Sequence, residues 1–470
     1  NGSREVMIKD ARMPPPPQGE AGMLTSGEVN DFRKWDLWQD IEQTDLDGYS
    51  GQWNMHPRER YTVQLTTLDG KPAIDRAVQL IAADGRIIWH GRSDNTGKAE
   101  LWANVFAGAQ DAPAMIRIIN GEEILEISDI KRFHDGINFS GINSYCDTPD
   151  NVDILFAVDA TGSMGDEISY LKAEMLDIIG KIEDKYESLN FRTGSIFYRD
   201  KGDNYIVQTS DLSEDAKTTD KFINANFAGG GGDFPEGVDY ALQTAVNDIT
   251  WSERAVARIM FLVLDAPPHD DPVSVEKIRR ISEKAAAEGI RIVPVACSGV
   301  DKSTEFLMRS LSLATNGTYV FLTDHSGIGN PHIEPTTDKY DVEKLNDLFI
   351  RLIDQFTMTA DCSGQAIAGE DVNDNIYNHD ETHPTAEELE ALLSLVRCFP
   401  NPTDGTLNID ISGALDALFL VDISGKIVQR FENPAEGRQQ INLGSYPTGV
   451  YFLKFSSQNK WASSKVVLMR

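Results

Sequence analysis

The sequence predicts a multidomain α/β plus β protein, in which a doubly wound α/β domain is flanked along the chain by N-terminal and C-terminal antiparallel β-sandwiches. Three observations lead to this. First, 470 residues are too many for one core, because single cores stop growing at roughly 250–300 residues. Second, between 150 and 360 the apolar runs "VDILFAVD", "ARIMFLVLD", "IRIVPVACS" and "GTYVFLT" show no alternation and are separated by helical stretches. That is the texture of a mainly parallel sheet covered on both faces. Third, the flanking regions carry short alternating runs between turn signals, as half-buried antiparallel strands do.

The elements follow in order. Residues 1–22 contain "MPPPPQGEAG", a polyproline stretch unsuited to sheets or helix interiors and therefore a leader or spacer. The first domain is expected at 23–148. It opens with the aromatic-rich "GEVNDFRKWDLWQDI", suited to docking on a neighbour, and continues with "RYTVQLTTL", "AVQLIAA", "RIIWHGR" and "AMIRIIN" between the turns "DGKP", "ADGR" and "DNTG". "DLDG" at 45–48 lacks the downstream Glu of a calcium loop and is expected to be a simple turn not bounded by helices. The α/β domain is placed at 149–360, with helices over "GDEISYLKAEMLDIIGKIEDKYES", "GVDYALQTAVNDI", "SVEKIRRISEKAAAEG", "TEFLMRSLSLAT" and "VEKLNDLFIRLIDQF". Residues 361–397 form an acidic linker, in which Thr385 and Glu388 have capping-box spacing for a short helix. From 398 to 470 the β texture returns, with "TLNIDI", "ALFLVDISGKIVQRF" and "GVYFLKFSS".

Charge narrows the function classes. Asp and Glu number 74 against 43 Lys and Arg, a formal charge of -31, which opposes binding to nucleic-acid phosphates or anionic lipid. No stretch is apolar over the ~18–20 residues that a membrane span requires. The opening residues show no signal-peptide pattern, as at a processed end. There is no nucleophile elbow, phosphate-binding loop or HExxH motif, and His269 and His325 stand alone, so the chain is expected not to be an enzyme.

The chemistry concentrates in three loops that follow predicted strands. "DATGS" at 159–163 places Asp159, Thr161 and Ser163 at alternate positions, "GGGGDFPEG" spans 229–237, and "VLDAPPH" spans 263–269. In doubly wound folds, ligands bind where the carboxyl ends of the strands carry such loops. Small oxygen-bearing side chains from three loops suit a hard cation such as Mg²⁺, which takes six oxygens and keeps several waters. In this order the loops resemble the metal-ion-dependent adhesion site (MIDAS) of von Willebrand factor type A domains.

The resemblance implies that Thr161 and Ser163 supply hydroxyl oxygens and that Asp159 and Asp265 ligate directly or through water. It also implies a divalent cation with an open position toward a protein partner. Mg²⁺ is expected first, with Ca²⁺ and Mn²⁺ left open. Asp233 stands where the family commonly has Thr, and Glu236 follows three residues on, a variant of the pattern. A third carboxylate would offset the cation's charge and weaken its pull on an acidic ligand, so a structural ion is also open. Asp200, Asp203, Asp270 and Asp271 are placed on the rim, where a basic contact fits as well as a carboxylate. Several extracellular members of the family clasp their domain ends with a disulfide, which here implies Cys146 with Cys362 and an oxidising compartment.

At the C-terminal end, "CFPNPTDGTLNIDI", "VDISGKIV", "INLGSYPTGVYFLKF" and "KVVLMR" resemble the sorting domain of type IX secretion cargo. That implies recognition of residues 398–470 by the secretion machinery and export across a bacterial outer membrane. Release or attachment to surface lipopolysaccharide would follow. The expected function is a secreted or cell-surface protein binding a protein ligand through its cation. The alternative is an accessory component of a surface assembly in which the metal only rigidifies the loops.

Overall fold

The structure, a computed structural model, describes residues 20–106, 110–185, 189–232, 234–359, 362 and, with short gaps, 392–468. The leader at 1–19, Asp233, and all of the acidic linker up to 391 except Cys362 lie outside the described residues, as does most of the predicted linker helix. The chain divides into two compact units, 1–363 and 364–470.

The first unit begins with β1 (Thr25–Val29), followed by α1 (Trp35–Gln43) and α2 (Asp47–Trp53). The "DLDG" stretch is thus flanked by two short helices, contrary to expectation, with residues 44–46 forming the turn between them. Next come β2 (Glu59–Thr66), β3 (Ala77–Ala82), β4 (Ile87–Arg92), β5 (Lys98–Ala103), β6 (Pro113–Asn120), β7 (Glu123–Ile127) and β8 (Asn138–Gly141). They form a three-stranded sheet, β5-β2-β8, and a four-stranded one, β4-β3-β6-β7. The pairing of β8 with β2 is parallel, where alternation alone suggested an antiparallel arrangement. The connection from β7 to β8 brings the chain back to run alongside β2 rather than against it.

The α/β part follows as β9 (Asn151–Asp159), α3 (Ile168–Lys185), β10 (Asn190–Tyr198), β11 (Val207–Ser213), α4 (Ala216–Ala225), α5 (Val238–Asn247) and β12 (Ala257–Leu264). It ends with α6 (Pro272–Glu288), β13 (Ile290–Ala296), α7 (Lys302–Ala314), β14 (Tyr319–Leu322), β15 (Glu343–Lys344) and α8 (Leu345–Thr357). The sheet order is β11-β10-β9-β12-β13-β14-β1-β15. Strands β10, β9, β12, β13 and β14 are parallel, and β11, β1 and β15 pair antiparallel.

Strand β9 shows why the apolar runs do not alternate. Ile154, Phe156 and Val158 enter a core with α3 and α8, while Leu155 and Ala157 enter one with α5, α6 and α7. Both faces are buried, so both must be apolar.

The domain boundary shifts from the expected one. Thr25–Val29 belongs to the α/β sheet, running antiparallel to β14, although sequence order groups it with the β-rich segment. The two parts share a continuous core, in which Val63, Leu80 and Ile116 join Ile278 and Leu307. The aromatic lead-in does dock on a neighbour: Trp38 stacks on Phe306 at 6.0 Å. The indole N–H groups of Trp53 and Trp102 donate to the carbonyls of Ser303 and Leu313, each at 3.1 Å.

The Cys146–Cys362 disulfide is formed and spans 216 residues of sequence. Closing so long a loop removes denatured-state entropy worth about 5 kcal/mol. Cys146→Ser is therefore expected to lower the denaturation midpoint markedly. Thiol titration of unfolded, unreduced wild type should find Cys297 and Cys398 only; four free thiols would refute the bridge.

The second unit comprises β16 (Val396–Phe399), β17 (Thr406–Ile411), β18 (Ala417–Asp422), β19 (Ile427–Arg430), β20 (Gly437–Asn442), β21 (Gly449–Ser457) and β22 (Lys460–Leu468). Two antiparallel sheets, β16-β17-β20 and β19-β18-β21-β22, contribute Leu407, Ile409, Leu420, Leu453 and Phe455 to one core. Alternation along β17, where Leu407, Ile409 and Ile411 are buried and Thr406 is exposed, accounts for this arrangement.

Candidate functional site

Strands β9, β10 and β12 end side by side, and their loops meet at the carboxyl edge of the sheet. The Ala160 N–H donates to the Tyr198 carbonyl at 2.8 Å, and the Gly229 N–H donates back to the Ala160 carbonyl at 3.0 Å. The Gly162 N–H reaches the Gly230 carbonyl at 3.1 Å, and the Glu236 N–H reaches the Pro267 carbonyl at 2.9 Å. First, second and third loops are thus stitched together by main-chain bonds.

Within this frame Asp159 is completely buried and its Oδ1 accepts from the Thr161 N–H at 2.8 Å and the Thr161 hydroxyl at 2.6 Å. The hydroxyls of Thr161 and Ser163 lie 3.1 Å apart. Because the Thr161 proton is committed to Asp159, the oxygen keeps lone pairs free for another partner. Ser163 is exposed while Asp159, Thr161 and Asp265 are buried, so the group opens to solvent on one side.

The electrostatics are those of an acid cluster short of positive charge. Asp159 Oδ2, Asp265 Oδ1 and Glu236 Oε2 are buried without a hydrogen-bond partner, which costs free energy unless something compensates. Burial, and then the charge of Asp265, pushes the Asp159 carboxyl up to about 7. Burial likewise lifts Asp265 to about 6, against the Ser163 hydroxyl, which lowers it. Glu236 rises to about 9 through burial and then the carboxylates of Asp159, Asp200 and Asp265. Among the described residues, no three His, Cys, Asp or Glu side chains are gathered tightly enough to hold a metal by themselves. The hydroxyls of Thr161 and Ser163 belong to the donor set, and hard oxygen donors of this kind fit Mg²⁺ or Ca²⁺.

The family model for the von Willebrand factor type A domain matches residues 153–330. These residues form a von Willebrand factor type A domain. A second model, the secretion system C-terminal sorting domain, matches residues 397–469, so the chain is an exported one, secreted or held at the surface. Among curated proteins, a stretch of 119 residues is 29% identical to the alpha-protein kinase vwkA of Dictyostelium discoideum. That stretch is 25% of this chain and only 19% of the kinase. Among solved structures, the conserved hypothetical protein BatB from Bacteroides thetaiotaomicron is 14% identical, with 44% of this chain and 98% of that one covered at a TM-score of 0.30. An aerotolerance-related membrane protein from Bacteroides fragilis is 18% identical, with coverage of 37% and 92% at a TM-score of 0.26.

The rim of the type A domain is less negative than its sequence suggests. Asp200 is only 6% exposed and pairs with His269 Nε2 at 2.8 Å. Asp203 turns inward to accept from the Gly231 N–H at 2.8 Å. Asp271 caps α6, accepting from the N–H groups of Val273 and Ser274, so its charge is engaged by the helix terminus. Asp270 and Asp271 both stand exposed, with Asp270 accepting from Gln52 of α2 at 3.2 Å. Asp233 lies outside the described residues.

Two groups near the site escaped sequence reasoning. Glu167 is fully buried and accepts from His332 Nε2 at 3.0 Å, while His332 Nδ1 faces Asp324 at 2.8 Å. Burial works against the His332 charge, but the bonds to both carboxylates outweigh it and hold the imidazole above its usual value. The 165 residues separating Glu167 from His332 left no local signal for this pair. The other group is exposed. Phe227 and Phe234, 65% and 47% exposed, flank the glycine-rich loop, whose neighbours gave no cue that these rings would face solvent.

Proposed function

We propose that this exported protein binds a divalent cation through Asp159, Thr161, Ser163 and Asp265, and through that cation-stiffened face engages a protein partner outside the cell, without catalysing a reaction. The flanking β-sheet modules serve in this reading as compact sandwich supports. The observation that carries it is the meeting of two hydroxyls with buried, unpartnered carboxylate oxygens at the ends of adjacent parallel strands. A bound ion would be held by Asp159, Thr161, Ser163 and Asp265 and would supply the positive charge that these carboxylates lack, on the side where Ser163 is exposed to solvent. Asp159 orients Thr161, the three tied loops hold the donors in place, and Phe227 and Phe234 supply the apolar contact that interface cores use.

Capture of cell-envelope proteins by the immobilised chain is expected to fall at least tenfold in chelator and in Asp159→Ala, with circular dichroism unchanged. Wild type should recover on return of the cation and the variant should not. Capture indifferent to chelation would overturn the interaction reading. A chelator that instead leaves capture intact and lowers Tm would assign the ion a purely structural role.

A further inference from the structure

Residues 327–342 run without helix or strand between the short turn Asp324–Ser326 and β15. A stretch with no backbone ladder of its own keeps its place through side-chain attachments. Ile328 packs against the core that α3 and α8 share with β9. Asn330 Nδ2 donates to Asp166 Oδ2 at 2.9 Å. Gly329, at φ +85°, lies so close to Glu167 that a Cβ there would collide with its Oε1, and glycine adopts this conformation without strain. Asp166 and Glu167 close the turn Gly162–Asp166 that carries Ser163, so the attachments converge beside the first loop.

His332 completes them. Its side chain is 2% exposed, with Nε2 3.0 Å from Glu167 Oε1 and Nδ1 2.8 Å from Asp324 Oδ1. A neutral imidazole has one N–H and one bare nitrogen, so one of these contacts would set a lone pair against a carboxylate oxygen. The imidazolium donates to both. Glu167 also accepts from the Ser298 N–H at 3.3 Å, but its Oε2 is buried without a partner. Among the described residues, no Lys or Arg lies within ion-pair distance of Glu167 or Asp324. The other titratable groups close by add no fixed positive charge: Asp166 is tied to Asn330, Asp265 repels Glu167, His325 adjoins Asp324, and the Cys297 thiol is buried and held neutral.

We propose that charged His332 is a proton-operated latch, which fastens the 327–334 stretch to the turn that carries Ser163 and releases it on losing its proton. The sign follows from the raised folded-state value of His332. The latch contributes fully below the unfolded value of about 6.5 and is lost as pH rises through the higher folded value. The face beside the candidate site is then fixed in acid and loosened in alkali, with or without a bound cation.

The test is hydrogen exchange of the full chain by mass spectrometry, in chelator, from about pH 5.5 to about pH 9, with rates corrected for the intrinsic pH dependence. Peptides covering 327–334 should lose about tenfold in protection in wild type, with a midpoint above about 6.5, while peptides from β9 and β12 stay protected. Exchange at the imidazole C2 position, followed in the same samples, should place the pKa of His332 above that of the exposed His134. His332→Gln should show the low protection at every pH, and Glu167→Gln should move the midpoint to lower pH, with circular dichroism confirming the fold of each. Wild-type protection that does not change with pH, a His332 pKa no higher than that of His134, or a wild-type midpoint in Glu167→Gln would each overturn the latch. Should either variant fail to fold, the wild-type series and the imidazole titration decide by themselves.

Discussion

Replacing Arg309 by leucine is expected to destabilise the first unit by about 3–5 kcal/mol, the range observed when one partner of a buried ion pair is removed. The Arg309 side chain is 0% exposed, as is that of Glu305, and that of Asp31 is 3% exposed. The guanidinium donates to both Asp31 oxygens, at 2.9 and 2.5 Å, to Glu305 at 2.9 Å and to the Thr336 carbonyl at 2.7 Å. It therefore joins the segment after β1, helix α7 and the loop before α8. Burial opposes the Arg309 charge, but the two carboxylates together outweigh it and raise its pKa further.

Without the arginine, Asp31 is left buried without its ion-pair partner, while Glu305 keeps Lys302 at 2.8 Å and the Thr336 N–H at 2.7 Å. The sign of the pH dependence follows from that. Unpaired buried carboxyls titrate higher in the folded state than in the unfolded one, so the folded variant holds more protons and its stability rises as pH falls through those values. The Arg309→Leu defect should shrink on acidification. The triple variant Arg309→Leu, Asp31→Leu, Glu305→Leu should recover much of the loss, because hydrophobic replacement of a whole buried network is often neutral. Urea midpoints at two pH values measure all of this. A single-variant loss under about 1 kcal/mol would mean that the network is solvated in practice.

Deleting residues 397–470 is expected to abolish surface or extracellular appearance, leaving the protein on the inner side of the outer membrane. The deletion removes the whole segment matched by the sorting-domain model, whose core draws only on residues of the second unit. The first unit keeps both of its own cores and its disulfide, so it should remain folded. Protease accessibility on intact cells, with detergent-lysed cells as control, distinguishes the outcomes. Normal accessibility of the truncated chain would refute the sorting role.

Much of this was legible in the sequence because it is encoded locally. The runs "VDILFAVD" and "ARIMFLVLD" become β9 and β12, and each predicted α/β helix overlaps an observed one, since apolar periodicity follows from burying one face or two. Strands β10 and β11 and helix α4 were not among the predicted elements. "NFRTGSIFY" mixes polar and apolar residues because β10 sits nearer the sheet edge, where β11 is only partly covered. Asp159, Thr161 and Ser163 were identifiable because one loop carries all three.

What only the tertiary structure decided is what distant segments do to one another. It moved Thr25–Val29 into a sheet whose partner strand β14 lies nearly three hundred residues away, and it merged the β-rich segment with the α/β domain through one core. It drew Asp200 inward from the expected rim to His269 and tied Asp203 to the Gly231 N–H. Hydrophobic periodicity encodes which face of an element is buried, so elements and loops can be read along the chain. The direction in which a carboxylate points depends on the neighbours that desolvate it and on the donors within its reach, and folding alone brings these together.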